Sequence, residues 1–319
     1  MTHVWRNRLI PPLGALVLGS FLAYAFSLGY YYLHVLTSVA ICVMFAASIN
    51  LILGYAGQIS IGHGGFCAIG AYTCALLVKL CHVPFGLALL AGALFPFLVG
   101  IGLGWTCLRL SGPYLAIVTV AFGWIVQILI INFTDLTGGA EGFMGLPKPS
   151  LFGITLGSPM AIYLFILFCA CLILFLTAML RDSKVGRSWR LIKEDPLAAS
   201  VFGVDVTREK LMAFATSAGI AGFAGVIHAF FAGALFPDYF GLSLSIQMLL
   251  AAVIGGLGTA WGPVLGGMVV AGGFEALRAA HDYQSLIMGF IVVLVCIFAP
   301  GGLQSLLKFR FLHPKKSGN

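Results

Sequence analysis

Charged residues are almost missing from the first part of this chain, and that feature most restricts its fold. From Leu9 to Val78 there is no Asp, Glu, Lys or Arg, and Lys79 and Arg109 are the only further charged residues before Asp135. A helix crosses a hydrocarbon core of about 30 Å with about 20 apolar residues, so these runs can span a membrane several times. Over the whole chain, charged residues make up 8%, whereas a soluble domain carries about a quarter. The sequence therefore predicts an all-α, polytopic helical membrane protein.

Glycine, proline and charge divide the apolar sequence into candidate spans. These lie near residues 10–32, 36–53, 62–80, 85–108, 113–132, 159–180, 211–233 and 284–300. The uncharged run 239–274 is interrupted by GGLGTAWGP at 255–263, so it forms either two short spans or a re-entrant hairpin. Counted as two, it brings the total to about ten transmembrane helices, in a single transmembrane domain over residues 1–319. The N-terminal run could pass for a signal peptide, but it continues to about Tyr32, so we expect a retained span.

The basic residues orient these spans. If the N-terminus is cytoplasmic, only Lys79, Lys148 and Arg278 of the 17 Lys and Arg fall outside cytoplasmic segments. Cytoplasmic loops carry an excess of Lys and Arg, so we expect both termini and the loop 181–210 in the cytoplasm and the loop 133–158 outside. The net charge of +7 follows from these loops, and we do not interpret it as nucleic-acid binding.

The segment 181–210 is the one long, highly charged passage, with seven of the 17 Lys and Arg and five of the 10 acids. Asp195 and Pro196 predict a helix start, because Asp caps free amides and proline suits the first helical position. Gly203 predicts the end of this helix, because the residue that follows a helix often has a left-handed conformation, which glycine adopts readily. Upstream, apolar and basic residues alternate over 187–193 and predict a second amphipathic turn or two. Such a segment is either an ordinary cytoplasmic loop or a handle for a soluble partner.

Five strings in this chain carry a resemblance to a known family. They are LGYAGQISIGHGGFCAIGAY (53–72), RLSGPYLAIVTVAFG (109–123), LTGGAEGFMGLP (136–147), GRSWRLIKEDPLAASVFGVDVTREKLMAF (186–214) and PDYFGLSLSIQMLLAAVIGGLGTAWGPVLGG (237–267). In this order they resemble the branched-chain amino acid permeases of ATP-binding-cassette (ABC) importers. LTGGAEGFMGLP favours the LivM-type permease over its LivH-type sister. The resemblance covers most of residues 40–300.

The resemblance implies a function and a set of partners. It implies a type II ABC-importer permease fold in the bacterial inner membrane, moving branched-chain amino acids from periplasm to cytoplasm. The implied partners are a LivH-like permease, two ABC ATPases, a periplasmic substrate-binding protein and membrane lipid. ATP and magnesium would be bound by the ATPases, so we expect no cofactor, metal site or enzymatic activity in this chain, which lacks a phosphate-binding Gly-Lys-Ser/Thr loop.

The same resemblance assigns residues of the loop 181–210 to coupling with the ATPase. Ala198-Ala199-x-x-x-Gly203, with acids just before it, is similar to the motif whose short helix docks on the ATPase subunit. The candidate coupling residues are Gly186, Arg190, Glu194, Asp195, Pro196, Ala198, Ala199 and Gly203. When the two ATPase subunits close, they would pull together the 195–203 helices of the two permease subunits and so tilt the transmembrane spans.

A faint internal repeat points to a translocation path. Glycines at 54, 57, 62 and 65 have counterparts at 255, 258, 262 and 266, each set interrupting an apolar run. Paired broken helices in the two halves of a transporter mark its central pathway, so we expect these breaks to face each other near the centre of the subunit. The candidate path residues are Gly54, Gln58, Ser60, His63, Gly255, Gly258 and Gly262. His63 is either a polar group at this path or a histidine bonded to an exposed loop carbonyl.

Some positions depart from the family pattern and leave the cargo open. Family members usually carry Glu and Arg where this chain has Trp124 and Gln127, often Glu at Gln247, and Arg at Gly301. The alternatives are an importer of the same type for urea or short amides, or a proton-driven secondary transporter or channel. The latter is disfavoured because proton relays need Asp, Glu or His chains in the membrane.

Three further expectations concern individual side chains. Glu275 and Arg278 lie three residues apart and should pair on one helix face. His228 should bond between helices. The eight cysteines, which lie in or beside apolar segments, should be buried and inert.

Overall fold

The structure is a computed structural model that describes residue 12 and residues 14–16, 19–20, 29–107, 112–146, 149–151, 154–278, 283–299 and 301–305. Most of the predicted first span and all basic residues after Leu307 lie outside the described ranges. Within them the fold is helical, as predicted, and four two-residue strands make only two small antiparallel pairs.

The helices and strands follow one another along the chain with short connections. The helices are α1 (Tyr30–Ile49), α2 (His63–Lys79), α3 (Phe85–Cys107), α4 (Pro113–Asn132), α5 (Thr134–Thr137), α6 (Pro159–Asp182), α7 (Lys184–Glu194), α8 (Pro196–Val201), α9 (Val206–Ala232), α10 (Leu242–Gly255), α11 (Gly262–Ala276) and α12 (Gln284–Phe298). A π-helix, Asn50–Tyr55, continues α1, and 3₁₀ turns occupy Gly139–Glu141 and Pro237–Phe240. The strands are β1 (Phe143–Met144), β2 (Ser150–Leu151), β3 (Ile154–Thr155) and β4 (Ala234–Leu235), with β1 paired to β4 and β2 to β3.

Five of the described helices are long and apolar enough to cross a membrane, namely α1 with its π-helix, α3, α4, α6 and α9. The predicted border between the first two spans, at residues 33–35, is wrong. The helix begins at Tyr30, because Gly29 has an extended backbone with φ −141° and ψ 123°. Gly29 is the local signal for this border, but it is one of many glycines in the chain and no charge or proline accompanies it.

The run 239–274 forms two separate helices. The loop after α10 contacts Asn50 at the end of α1, whereas Glu275 near the end of α11 accepts a hydrogen bond from Tyr31 at the start of α1. Helix α11 therefore runs along α1 from its end to its start. With 14 and 15 residues at a rise of about 1.5 Å per residue, both are short for a full span.

Helix α9 lies in the core and packs closely against α2 and α3 through small residues. A Cβ at Gly225 would meet the backbone of Cys67, and a Cβ at Gly70 would meet the carbonyl oxygen of Gly222. Small residues let helix backbones approach in lipid, where the hydrophobic effect does not drive helices together. These glycines allow α2, α3 and α9 to form a closely packed three-helix core.

The helix bundle has two ends that differ in chemistry. We call the end that carries the charged segment 181–210 the α7 end; α1 and α6 finish there and α9 begins there. At the opposite end β1 pairs with β4, and the Lys79 ammonium lies 4.0 Å from the centre of the Phe143 ring. Alternating helices thus place 133–158 and 181–210 at opposite ends.

Candidate functional site

Helix α7 packs on the end of α1 through one apolar face. The Ser183 side chain caps α7 by accepting a hydrogen bond from the Gly186 amide at 3.1 Å. Trp189 and Ile192 are buried, and Trp189 belongs to a cluster with Tyr55 of the π-helix. A Cβ at Gly186 would meet the carbonyl oxygens of the last turn of α6, so only glycine allows this approach.

Helix α8 is short, capped at both ends and mostly exposed. The Asp195 carboxylate accepts hydrogen bonds from the amides of Leu197 (2.8 Å) and Ala198 (3.2 Å), and Pro196 is the first helical residue. Gly203 follows the helix with φ +77°, a left-handed conformation that favours glycine. The predicted start and stop are both confirmed.

The outer face of α8 is apolar. Leu197, Val201 and Phe202 are 79%, 84% and 76% exposed, whereas Ala199 is fully buried against the protein. Charged residues flank the helix on both sides, from Lys193 to Asp195 and from Asp205 to Lys210. A contiguous apolar patch with a charged rim is typical of a protein interaction site.

Arg190 and Glu194 are two candidate coupling residues on α7 with different surroundings. The Arg190 guanidinium donates from Nη2 to the Arg181 carbonyl oxygen at 3.2 Å, where α6 ends. A cation at a helix C-terminus satisfies free carbonyls and complements the helix dipole. Glu194 is exposed at the junction of α7 and α8, beside Asp195 and Pro196.

The two glycine-rich breaks are in direct contact. Asn50, buried in the π-helix, donates from Nδ2 to the Thr259 carbonyl oxygen at 3.0 Å and accepts from the Gly258 amide at 2.7 Å. A Cβ added at Gly54 would lie 2.5 Å from the Gly258 nitrogen. The predicted juxtaposition of the breaks is confirmed.

The breaks meet at the α7 end of the bundle. The sequence led us to expect that they would meet near its centre, and that expectation is wrong. The Lys193 ammonium of α7 donates a hydrogen bond of 2.8 Å to the Gly54 carbonyl oxygen. Gly57 has φ +68°, and a Cβ there would lie 2.8 Å from Lys193 Cγ. The π-helix at the end of α1 packs against α7, with Tyr55 in the same cluster as Trp189. π-Helices are often found at functional sites.

Gly255 and Gly262 allow α10 and α11 to approach at their junction. A Cβ at Gly255 would meet the carbonyl oxygen of Gly262, and a Cβ at Gly262 would meet that of Gly256. The Thr259 hydroxyl bonds within the same loop, donating to the Gly256 carbonyl oxygen at 2.6 Å. The loop 256–261 is therefore compact and held against the end of α1.

Gln58, Ser60 and His63 are all buried. The His63 ring bonds through Nδ1 to the Ser60 hydroxyl (3.0 Å) and through Nε2 to the Ser217 hydroxyl (2.7 Å). The alternative of a bond to an exposed loop carbonyl is wrong. The Gln58 amide donates to the Lys210 carbonyl oxygen at 3.0 Å, while its Oε1 is buried without a hydrogen-bond partner.

Several residues of this arrangement were not predicted from sequence. Asn50 joins the two breaks, Lys193 joins α7 to the first break, Ser183 caps α7, and Ser217 links His63 to the Ser48 carbonyl oxygen at 2.7 Å. Asn50 carried one available signal, because it is the only Asn or Gln between Leu9 and Gly57. Ser217 and Lys193 gave no signal, because their partners are distant in sequence. Ser183 caps a helix through the amide three residues on, a local pattern that the sequence-based prediction missed.

The remaining sequence expectations have mixed outcomes. Glu275 and Arg278 pair at 3.1 Å, as predicted. His228 stacks on the Tyr239 ring, with centroids 4.1 Å apart and planes 8° from parallel, rather than joining helices by a hydrogen bond. Gln127, one of the positions that depart from the family pattern, donates a hydrogen bond of 3.0 Å to the Asp238 carboxylate.

The expectation of buried cysteines is wrong at Cys81. This residue is exposed in the loop between α2 and α3, while five of the described cysteines are buried and Cys42 is half-buried. Cys296 has no described side chain. Among the residues that the structure describes, no three His, Cys, Asp or Glu side chains are grouped as metal ligands.

Comparisons with known proteins identify the family of this chain. The model of the branched-chain amino acid transport system permease component matches residues 31–296. The high-affinity branched-chain amino acid transport system permease protein LivM of Salmonella typhimurium is 35% identical over 290 residues, which covers 84% of this chain and 68% of the relative. LivM of Escherichia coli is 34% identical with the same coverage. LivH of Salmonella typhimurium, also a permease protein, is 27% identical over 82% of this chain and 90% of its own length. No solved structure matches. The chain belongs to the family of permease components of branched-chain amino acid transport systems.

Proposed function

We propose that this chain is a LivM-type permease subunit of an ABC importer that moves branched-chain amino acids from periplasm to cytoplasm. The observation that carries the proposal is α8, a capped helix with three exposed apolar side chains, Leu197, Val201 and Phe202, inside a charged rim. An exposed apolar patch with a charged rim is typical of a protein interaction site. In an ABC importer the partner at such a site is the ATPase subunit.

The energy source lies outside this chain in the proposed complex. Two ATPase subunits bind ATP and magnesium, and a LivH-like permease and a periplasmic binding protein complete the importer. The segment 181–210 and both termini face the cytoplasm, so that α8 reaches the ATPases, and 133–158 faces the periplasm. The whole chain acts as one transmembrane domain.

The contacts of α7 support a route for the ATPase motion into the membrane. Movement of α8 moves α7, whose Lys193 holds the Gly54 carbonyl oxygen. Gly54 touches Gly258, and Asn50 bonds the same loop. A displacement of α7 therefore shifts both breaks together, and Gln58, Ser60 and His63 lie directly beyond them. We assign these residues and the glycines of the breaks to the cytoplasmic half of the path.

The exposed face of α8 gives the test of coupling. Val201→Glu and Phe202→Glu place charge on an exposed surface, so they should fold normally and lose co-purification of the ATPase. Val185→Glu, an exposed valine of α7, is the matched control and should retain it. Full ATPase binding by both α8 variants would contradict the proposal.

The cargo is tested by competition. In cells that express the complete importer, unlabelled leucine, isoleucine and valine should compete with uptake of radiolabelled leucine, while urea and acetamide should not. Competition by the amides alone would assign the importer to the other cargo class.

A further inference from the structure

A cavity of about 270 Å³ lies between α1, α9, α10 and α11, toward the end of the bundle opposite α7. One face of α1 contributes Ser38, Ile41 and Phe45, and one face of α10 contributes Leu244 and Gln247, because residues three, four or seven apart share a helix face. Pockets for drug-sized ligands measure about 300–1,000 Å³. This cavity therefore suits a small solute.

The lining of the cavity is polar toward its mouth. Glu275 is half-buried, and its Oε1 accepts hydrogen bonds from Tyr31 (2.9 Å) and Arg278 (3.1 Å). Arg278 is 70% exposed, so it approaches the carboxylate from the solvent side. Gln247 and the stacked pair of His228 and Tyr239 line the same cavity with neutral donors and acceptors.

The inner part of the lining is apolar. Phe45, Leu244 and Met248 are buried and line the cavity. One turn further along α1, the Ser48 hydroxyl donates to the Phe45 carbonyl oxygen at 2.9 Å, and the Ser48 carbonyl oxygen accepts from Ser217, which bonds His63. Phe45 thus separates the cavity from the buried polar network that leads to the breaks.

We propose that this cavity, named here the Glu275 cavity, is a transit site for an amino acid with an aliphatic side chain; the proposal rests on the proposed function. The ammonium group of the amino acid pairs with the Glu275 carboxylate, and the carboxylate of the amino acid accepts hydrogen bonds from the Gln247 amide. The aliphatic side chain packs against Leu244 and Phe45. Movement of the amino acid from this cavity toward the cytoplasm requires the Phe45 side chain to move.

The chemistry of the cavity separates the two cargo classes that the sequence left open. A carboxylate beside an apolar wall matches a molecule that carries a cation at one end and hydrocarbon at the other. Urea and short amides have no cation to pair with Glu275 and no branched hydrocarbon to fill the inner part.

Photo-crosslinking locates the site directly. The probe is a leucine analogue with a diazirine in its side chain, irradiated with the complete importer in proteoliposomes and mapped by mass spectrometry. We expect crosslinks on residues 41–45, 244–248 or 270–274 that an excess of leucine removes. Leucine uptake with competed crosslinks only elsewhere would overturn the cavity and leave the proposed function standing. Absence of any uptake by the wild-type importer would refute the proposed function itself.

Neighbouring positions on α11 supply a matched pair of variants. Ala271 lines the cavity, whereas a Cβ at Gly272 would meet nothing within 4 Å. Ala271→Leu should lower leucine uptake by about tenfold or more, as should Glu275→Gln, which removes the carboxylate that binds the ammonium group of the amino acid. Gly272→Leu should transport like the wild type. Co-purification of the ATPase verifies folding of each variant, and wild-type uptake by folded Ala271→Leu and Glu275→Gln would overturn the proposal.

Discussion

At the scale of single residues, Asn50 joins two parts of the chain that are far apart in sequence. Its side chain satisfies the Gly258 amide and the Thr259 carbonyl oxygen, more than 200 positions away. Both groups lie where the loop 256–261 presses against the end of α1. A buried backbone group without a partner costs about 1–3 kcal/mol, so the contact between the breaks depends on this one amide.

Asn50→Leu keeps the branched shape and the number of heavy atoms of the side chain and removes both hydrogen bonds to the loop 256–261. We expect the variant to lose about 1–3 kcal/mol of stability, measured as a lower thermal unfolding midpoint of the purified permease in detergent. Asn132→Leu is the control, because Asn132 is exposed and bonds only the Ile128 carbonyl oxygen of its own helix. Equal midpoints for the two variants would contradict the role of Asn50.

Local chemistry explains which residues could be predicted from sequence. Asp195 and Gly203 were correctly predicted as the start and stop of α8, since a cap bonds amides two or three residues away. Asn50, Lys193 and Ser217 were missed because their partners lie 139 or more residues away. A side chain with only distant partners gives a sequence no local pattern to read.

At the scale of elements, the orientation of α8 depends on its cap. Asp195→Ala removes both hydrogen bonds to the first turn and should cost the helix about 1 kcal/mol. Asp195→Asn keeps a capping oxygen and should behave nearly as the wild type. We expect lower ATPase activity in the assembled complex for the alanine variant only, measured by phosphate release. Equal loss in both variants would mean that charge, and not capping, is what matters at this position.

The link between α7 and the π-helix gives a second prediction at this scale. Lys193→Met keeps the apolar stem against Gly57 and removes the ammonium that binds the Gly54 carbonyl oxygen. The ATPase should still bind and hydrolyse ATP, while the number of leucine molecules transported per ATP falls. Lys184→Met, an exposed position one residue into α7, should leave this ratio unchanged. An unchanged ratio in Lys193→Met would rule out the link.

Element borders were predicted well where the sequence contains a breaker and poorly where it does not. Proline at the first position predicted the starts of α4 and α6. The start of α1 at Tyr30 was missed because Gly29, the residue before it, is one of many glycines in the chain and is a weaker breaker than proline. The π-helix after Ile49 was missed because the apolar sequence continues through this point. The hydrogen-bond pattern of a π-helix is decided by the neighbours it packs against, here α7 and the loop 256–261.

At the scale of the whole molecule, the opposite placement of the two polar loops predicts the topology. In a variant without native cysteines, a single cysteine at exposed Glu141 should react with a membrane-impermeant maleimide added to spheroplasts. A cysteine at exposed Arg187 should react only after the membrane is opened. The physical reason is the excess of Lys and Arg in 181–210. Labelling of position 187 from outside would invert the orientation and remove α8 from the reach of an ATPase.

The overall fold followed from composition, whereas the arrangement of the helices did not. A nearly charge-free chain can satisfy its backbone in lipid only as helices or a closed barrel, and the long apolar runs favour helices. The order in which α9 packs against α2 and α3 depends on glycine contacts such as Gly70 with Gly222. Many glycines lie in the apolar runs, so their pairing could not be deduced from sequence.

The most direct test of the account is the energy source of transport. The complete importer is reconstituted in proteoliposomes with ATP on the side of α8 and the binding protein on the other side. We predict leucine uptake that requires hydrolysable ATP, continues without a proton gradient, and is lost in Val201→Glu. Uptake that follows an imposed proton gradient without ATP, or that persists at the wild-type rate in Val201→Glu, would contradict the account.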